Sequence, residues 1–257
     1  MKTTKLQSAT KKHYEHYPFD YDTADRRQRK LESTLIGELI RSGLPGAEVI
    51  GDIGGGSGFI AALVKEHCGR EPVVIDLSLP SLRNAREKGL TRLCNASNLE
   101  LPIETEAIDF VISNGVIHHT PEPRRSFGEL ARVLRRGGRL YLSVYNRWSL
   151  YFCLFVLTAP LRWYRRAGGP DLLLKGLVLP PFCLYWLGGM WIVGRQTKLP
   201  PWRRMWHLFN DQIMTPRATF HTFAQIERWA EEEGLRTRRK QKETASTMLA
   251  LLFEKKM

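Results

Sequence analysis

The amino-acid sequence predicts an α/β fold whose mainly parallel sheet is covered by helices on both faces. Short apolar runs of strand length alternate along the chain with segments whose apolar residues recur at helical spacing. The strand segments are apolar throughout rather than alternating, so both of their faces require burial. A length of 257 residues, with 43% hydrophobic and 25% charged residues, suits one such domain or one domain with a sizeable insertion.

Each element is marked by its own pattern. Helices are expected over residues 25–41, 60–64, 80–88, 124–136 and 224–233. Strands are expected over residues 49–53, 73–75, 108–112, 140–144, 235–242 and 248–253. Gly43 and Pro45 should end the first helix, and Gly137 with Gly138 should stop the helix that begins at Arg124.

A run of glycines follows the first predicted strand, in the segment Asp52-Ile53-Gly54-Gly55-Gly56-Ser57-Gly58. Glycines between a strand and a helix let the backbone turn sharply and let a ligand lie against it. A phosphate-binding P-loop would need Lys in place of Ser57, and a dinucleotide fingerprint would need Gly in place of Phe59. The remaining pattern suits a ligand without a pyrophosphate. Asp76, at the end of the second strand, can accept hydrogen bonds from both hydroxyls of a ribose.

Four segments resemble, in order and spacing, successive motifs of the class I S-adenosylmethionine (SAM)-dependent methyltransferases, and most closely the methyltransferase type 11 domain: VIGDIGGGSG, VVIDLS, LPIETEAIDFVISNGVIHH and ELARVLRRGGRLYLSVY. The resemblance implies a Rossmann-like three-layer sandwich with a seven-stranded, mostly parallel sheet. It also implies SAM as methyl donor. The apolar runs after the fifth strand add a helical apolar insert between that strand and the last helix.

The resemblance further implies a set of cofactor-binding residues: Asp52, Gly54, Gly56, Gly58, Asp76, Leu77, Asn95, Ala96 and Asn114. The glycine loop would line the methionine part of SAM, Asp76 would hold the ribose, and Leu77 would pack against the adenine. Members of the family usually have an acid after the third strand, where this chain has Asn95 followed by Ala96, so the contact to the adenine amino group is assigned to Asn95. Asn114, expected just past the fourth strand, would face the reaction centre.

Methyl transfer requires alignment of a nucleophile with an already activated methyl group, so no catalytic side chain is obligatory. A hydroxyl or carbon acceptor would benefit from a base, and His118, His119 and His221 are the candidates. Packing and ordering of the loop are the alternative roles for His118 and His119. Tyr14 and Tyr17 could close over SAM from the amino-terminal arm, or simply pack.

The charge distribution and the aromatic content set one segment apart. The net charge is +13, and residues 145–222 contain ten Lys and Arg residues, two Asp residues and six of the seven tryptophans. We expect an arm and cap helix over residues 1–46, a SAM-binding core over 47–145, this insert over 146–222, and a closing helix and strand pair over 223–257. The insert is expected to form a lid over an apolar acceptor. Docking at an anionic membrane surface is the main alternative, and a membrane span over residues 172–193 is disfavoured by Lys175 and Pro180-Pro181.

The predicted function is SAM-dependent methylation of a small, largely apolar metabolite such as a quinone, a polyketide or a lipid-like molecule. An RNA methyltransferase and a SAM-fold binding module without turnover are the alternatives. Motifs for adenine-N6, cytosine-C5 and protein-arginine methylation are missing, so nucleic acid is not expected as a partner. The four cysteines form no C-x-x-C pair, so neither a metal site nor a disulfide framework is predicted. The amino terminus lacks an apolar signal-like run, so we expect a cytoplasmic protein, with a peripheral position at the inner membrane face as a further option.

Overall fold

The computed structural model describes residues 2–16, 22–44, 46–192 and 201–257. The chain divides into two compact units. The core unit comprises Met1–Trp148 and Arg217–Met257, and the insert unit comprises Ser149–Pro216. The sequence placed the insert over residues 146–222.

A seven-stranded sheet forms the centre of the core unit, as far as the described residues extend. Its strands are β1 Ile50–Ile53, β2 Val73–Asp76, β3 Leu93–Asn95, β4 Ile108–Asn114, β5 Leu134–Tyr145, β6 Leu235–Glu243 and β7 Met248–Lys255. They lie in the order β3-β2-β1-β4-β5-β7-β6. Strands β1 to β5 run parallel, and β7 runs antiparallel to both of its neighbours. This arrangement confirms the predicted α/β fold with a seven-stranded, mostly parallel sheet.

Helices cover both faces of this sheet. In the core unit they are α1 Lys2–His16, α2 Ala24–Ser33, α3 Leu35–Arg41, α4 Phe59–Cys68, α5 Leu79–Glu87, α6 Pro123–Val133 and α12 Phe223–Glu232. Neighbouring residues of β4 point to opposite sides. Val111 joins an apolar cluster with α6 and α12, whereas Phe110 and Ile112 join a second cluster with α3 and α4. This two-sided burial explains why the strands are apolar throughout.

The order of the strands reverses at β1, which lies between β2 and β4. In an open parallel sheet such a reversal leaves a crevice at the carboxyl ends of the two central strands, where ligands bind. The carboxyl ends of β1 and β4 carry the glycine loop and Asn114, respectively. The topology therefore brings the predicted cofactor residues to one edge of the sheet.

Two helix predictions were wrong at their boundaries. The helix expected over residues 25–41 is interrupted at Thr34, whose backbone is extended with φ −129° and ψ 154° and whose hydroxyl accepts a hydrogen bond from the backbone N–H of Gly37. The helix expected to reach Arg136 ends at Val133, and Gly137 and Gly138 lie inside β5. A Cβ atom on Gly138 would lie 2.9 Å from the backbone oxygen of Asp109, so close approach of β4 explains this glycine.

The insert unit is helical and has its own apolar core. Its elements are α7 Leu150–Leu157, α8 Ala159–Arg166, α9 Asp171–Leu173, a π-helical stretch Leu174–Val178, α10 Leu179–Ile192 and α11 Trp202–Gln212. Phe182, Met205 and Phe209 are among the buried residues of that core. The stretch Asp171–Gly188 is long and apolar enough to cross a bilayer, judged by length and composition alone, and 22% of it is buried.

Candidate functional site

The glycine loop leaves β1 and enters α4 at the reversal of the strand order. The backbone N–H of Gly54 donates to the carbonyl oxygen of Ile75 at 2.6 Å, which ties the loop to β2. A Cβ atom on Gly54 would collide with the side chain of Val116, so only glycine fits between β1 and the segment after β4. Gly58 caps the amino terminus of α4.

Gly56 is the part of the loop that faces open space. Its φ of +55° lies in the left-handed region, which favours glycine, and a Cβ atom built there would meet nothing within 4 Å. The absence of a side chain at Gly56 therefore keeps the loop backbone accessible to a ligand. The glycine pattern predicted such an open loop backbone.

Asp76 closes the loop from β2. Its Oδ2 accepts a hydrogen bond from the backbone N–H of Gly56 at 2.9 Å, and its Oδ1 accepts one from Ser78 N–H at 2.8 Å. Burial raises the pKa of this carboxyl, and the backbone donors, Ser78 first, oppose that rise. An ionised carboxylate offers more acceptor positions than these two bonds use. Asp76 can therefore accept further hydrogen bonds from hydroxyls beside the loop.

Asp52 is the second acid at the loop, and it is almost entirely buried in β1. Among the described residues, its Oδ2 has no hydrogen-bond partner. Burial raises the pKa of this carboxyl to about 7, and the neighbouring charge of Asp76 adds to the rise, whereas the Ala61 backbone N–H and the charge of Lys30 oppose it. A buried acceptor without a partner is costly, so Asp52 is suited to a ligand that brings a donor or a positive charge.

The residues predicted to meet the adenine lie around the end of β3. Asn95 is exposed, and its side-chain N–H donates to the backbone oxygen of Asp76 at 2.9 Å. The Ala96 N–H donates to the same oxygen at 3.2 Å. Asn95 is thereby oriented with its amide nitrogen engaged, and its oxygen remains as the group that could accept from an amino group. Leu77 is half-buried directly after β2. Their contact with adenine stays a prediction.

Asn114 is the last residue of β4 rather than the first residue beyond it. Its Oδ1 accepts hydrogen bonds from Lys30 Nζ at 3.0 Å, Ser143 Oγ at 3.2 Å and Tyr141 OH at 3.3 Å. Lys30 comes from α2, far away in sequence, and its approach to the site was not predicted. No local pattern identifies this residue, because α2 carries several other basic side chains.

His118 and His119 lie in a 3₁₀ turn, Ile117–His119, after β4, and both are buried. The Nδ1 of His118 accepts a hydrogen bond from the Tyr145 backbone N–H at 3.3 Å, so the proton of the neutral ring lies on Nε2. His119 has the opposite tautomer, because its Nδ1 must donate to the carbonyl oxygen of Arg217 at 2.8 Å. The lone pair of His119 therefore lies on Nε2. Of the two, His119 has the arrangement of a base, and His118 that of a hydrogen-bond donor.

His221 is also buried, beside the end of β5. Its Nε2 lies 2.9 Å from Thr219 Oγ1, and its Nδ1 lies 3.2 Å from Gln225 Oε1. Both ring nitrogens are thus engaged by side chains of the core unit. This arrangement favours a positioning role for His221, and the proposal that it acts as a base stays a prediction.

Helix α1 contacts two of the segments that carry predicted site residues. Gln7 Nε2 donates to Ser97 Oγ at 2.7 Å, just after β3. The ring of Tyr14 packs edge-on against His119, with ring centroids 5.7 Å apart. Helix α1 therefore extends from the loop after β3 to the 3₁₀ turn that carries His119. Tyr17, the other tyrosine predicted to cover SAM, lies outside the described residues.

Comparison with known proteins agrees with this geometry. Residues 51–142 match the family described as "Methyltransferase domain". The chain is 30% identical over 166 residues to 2-methyl-6-phytyl-1,4-hydroquinone methyltransferase 1 of Oryza sativa subsp. japonica, an alignment that covers 60% of this chain and 48% of the rice protein. It is 36% identical over 109 residues to the arsenite methyltransferase of Halobacterium salinarum, covering 38% of this chain and 27% of that protein. The chain thus spans about half the length of the rice protein and 27% of the length of the Halobacterium protein.

The fold is shared with solved methyltransferase structures. The magnesium protoporphyrin IX methyltransferase of Synechocystis PCC 6803, crystallised with S-adenosylhomocysteine, superposes with a TM-score of 0.55 at 15% sequence identity, covering 98% of this chain and 95% of that one. Residues 51–142 therefore match a methyltransferase domain, and the chain has the same fold as this solved methyltransferase. The predicted class and the predicted methyl donor are therefore confirmed.

The residues present fit SAM. The open backbone at Gly56 leaves room for the ligand. The Oδ2 of Asp52 has no hydrogen-bond partner among the described residues, and the carboxylate of Asp76 can accept more hydrogen bonds than it does here. A ribose supplies two hydroxyl donors, and the methionine end of SAM supplies an ammonium group. The described residues contain no cluster of His, Cys, Asp and Glu suited to a metal ion.

Proposed function

We propose that this protein transfers the methyl group of SAM to a small, largely apolar acceptor. The observation that carries the proposal is the pairing of an open glycine loop with two acids at the carboxyl edge of the sheet, the buried Asp52 and the half-buried Asp76. When bound there, SAM would supply an activated methyl group that an acceptor lone pair can take, with the electrons of the carbon–sulfur bond returning to sulfur.

The contribution of the protein is mainly positional. Alignment of two reactants can supply on the order of 7–11 kcal/mol of a barrier. His119 Nε2 is the group best arranged to take a proton from an acceptor hydroxyl, because its Nδ1 proton is held by the Arg217 carbonyl. Burial lowers the pKa of His119 to about 4, so at neutral pH the ring is neutral with an unprotonated Nε2, and it is a weaker base than a free imidazole.

Labelled SAM tests this function directly. The purified full chain is incubated with SAM that carries a radioactive methyl group, together with either a lipid and quinone extract or total RNA. We expect label in the organic-extractable fraction, with Gly56→Val as the inactive control. Label in RNA would instead favour the alternative of an RNA methyltransferase. SAM binding without transfer to either fraction would favour a binding module and contradict the proposal.

Support for an apolar acceptor comes from the insert unit. Ten of the fourteen large hydrophobic residues that are exposed in the described chain lie within it: Leu150, Val156, Leu157, Trp163, Leu172, Leu173, Leu177, Leu184, Tyr185 and Trp202. The rice relative is named as acting on a phytyl hydroquinone, which is a molecule with a long apolar chain. An apolar acceptor of this kind partitions into membranes.

We also propose that the insert unit docks at an anionic membrane surface. The helical run from Asp171 is buried on one side through Leu174 and Phe182, whereas Leu177 and Leu184 are 72% and 71% exposed. A lid would require such side chains to be covered. Residues 149–216 also carry eight Lys and Arg residues against two Asp residues, which complements anionic headgroups.

Sedimentation with vesicles tests the docking proposal. We expect the protein to bind vesicles of mixed phosphatidylglycerol and phosphatidylcholine, and to be released by salt, because screening shortens headgroup attraction to about 10 Å at 0.1 M. Leu177→Ser combined with Leu184→Ser should abolish binding, whereas Leu79→Ser, at an exposed leucine of the core unit, should not. A wild-type protein that stays in the supernatant would contradict docking and favour the lid.

The basic residues of the insert are not equivalent in this test. Arg203 is exposed and suits replacement by Gln, whereas Arg166, although exposed, donates to the backbone oxygen of Pro216 at 2.7 Å. Arg165 instead donates to Asp171 Oδ1 at 2.8 Å and to Asn210 Oδ1, so its replacement would disturb the insert unit itself. We expect Arg203→Gln to weaken vesicle binding mainly at low salt.

A further inference from the structure

Lys30 places a positive charge beside the crevice where the strand order of the sheet reverses. It belongs to α2, a helix without buried residues, yet its side chain is half-buried and its Nζ donates to Asn114 Oδ1 at the end of β4. Among the described residues, no carboxylate lies within ion-pair distance of this ammonium group. Its hydrogen-bond partner is a neutral amide. The charge of Lys30 is therefore held at the site without an opposite charge in contact.

The side-chain amide of Asn114 cannot accept all of the hydrogen bonds that the Lys30 ammonium group can donate. The Oδ1 of Asn114 has two lone pairs, and it lies within hydrogen-bond distance of three donors, from Lys30, Tyr141 and Ser143. Burial lowers the pKa of Lys30 to about 8, although the charges of Glu243 and Asp52 oppose the change. An ammonium group has three N–H donors, so Lys30 can keep Asn114 and still donate to a ligand.

Asp52 presents the complementary feature. Its Oδ2 is buried without a partner among the described residues, and Asp52 and Lys30 are close enough for each to shift the pKa of the other. Strand β1 pairs with β4 so that Asp52 lies beside Ile112, two residues before Asn114. The site thus holds one acid and one cation, both incompletely paired. A zwitterion with an ammonium and a carboxylate group would satisfy both.

We infer that Lys30 binds the α-carboxylate of the methionine part of SAM, opposite an α-ammonium held by Asp52. The inference rests on the proposed function, because it requires SAM at the glycine loop. Lys30 is then a cofactor-binding residue contributed by the amino-terminal arm. Cofactor binding would also secure α2, since the carboxylate adds a contact between that helix and the ligand.

Decarboxylated SAM provides the matching ligand control, because it keeps the sulfonium, the ribose, the adenine and the amine. We expect Lys30→Gln to weaken SAM binding by about tenfold or more, the effect of losing a charge-assisted hydrogen bond. The same variant should bind decarboxylated SAM as the wild type does. Both dissociation constants are measured by calorimetry, without turnover.

Lys65→Gln is the matched protein control, because Lys65 lies on α4 and pairs with Glu71 on the surface. It should leave both dissociation constants unchanged. If Lys30→Gln proves unstable on thermal unfolding, Lys30→Met keeps the length of the side chain without its charge and should give the same selective loss.

Three results distinguish failure of the inference about Lys30 from failure of the proposed function. Equal weakening of both ligands would mean that Lys30 supports the site without touching the carboxylate, and the inference would be overturned. Unchanged binding of both ligands by the variant would also overturn it. A wild-type protein that binds neither ligand would instead contradict the proposed function.

Discussion

The carboxylate of Asp76 accepts a hydrogen bond from the backbone N–H of Gly56 at 2.9 Å, which joins the end of β2 to the open part of the glycine loop. The contact links the two features that the sequence suggested separately, a flexible turn and an acid on the next strand. It orders Gly56 in a left-handed conformation while leaving the space in front of it open. The same carboxylate can therefore fix the loop and receive a ligand.

Replacement of Asp76 should impair cofactor binding. We expect Asp76→Ala to weaken SAM binding at least about tenfold, because a charge-assisted hydrogen bond contributes roughly 1.5–3 kcal/mol. Asp76→Asn keeps one acceptor oxygen and should give an intermediate dissociation constant. Calorimetry measures both. Wild-type affinity in Asp76→Ala would remove Asp76 from the ribose role.

Gly56→Val should abolish cofactor binding in a protein that still folds. The valine side chain would fill the open space before the loop, and its backbone would be strained at a φ of +55°. Gly69→Val is the matched control, since Gly69 has a φ of +64°, also faces open space, and lies at the opposite end of α4. It should lose a similar amount of stability but bind SAM normally. A folded Gly56→Val protein with normal affinity would refute the placement of the loop.

The stability of the protein without SAM should depend on the charge of Asp52. Its pKa is raised from 3.8 to about 7 in the folded state, so ionisation opposes folding as the pH rises from about 4 to about 7. Asp52→Asn removes this penalty. We expect the variant to exceed the wild type in free energy of unfolding by a few kcal/mol at about pH 8, and by less at about pH 5. Urea unfolding at both values checks this, and a gap that does not change with pH would contradict it.

His118 and His119 should not produce an ascending limb near neutral pH in the pH profile of kcat/KM. Burial lowers the pKa of His119 to about 4 and that of His118 well below its usual value of 6.5, so both rings are neutral from about pH 6 upwards. A neutral base is already competent there, and we expect kcat/KM to show no dependence on these two groups between about pH 6 and 8. A limb near pH 6.5 that disappears in His119→Gln would show that burial does not lower the pKa of His119 and would contradict this prediction.

Local patterns accounted for most of the fold. Alternating strand and helix segments predicted the two-sided sheet, because burial on both faces imposes apolar residues at every strand position. Boundaries were less predictable where long-range packing decided them. Thr34 interrupts an apolar periodicity that continues on both sides of it, and Gly138 lies in a strand because β4 passes close to it. No local pattern marked the three-residue strand β3, since so short a run carries little pattern, and only the family resemblance placed a strand before Asn95.

The sequence by itself determined the glycine loop, Asp76 and the class of the domain, because these depend on backbone conformation and spacing over short distances. Only the tertiary structure decided the partner of Lys30, which contacts Asn114 across 84 positions of the chain. It also decided the tautomers of His118 and His119, which the Tyr145 N–H and the Arg217 carbonyl fix. Charge, protonation and exposure of a side chain depend on neighbours that folding brings from distant segments, and no local pattern encodes those neighbours.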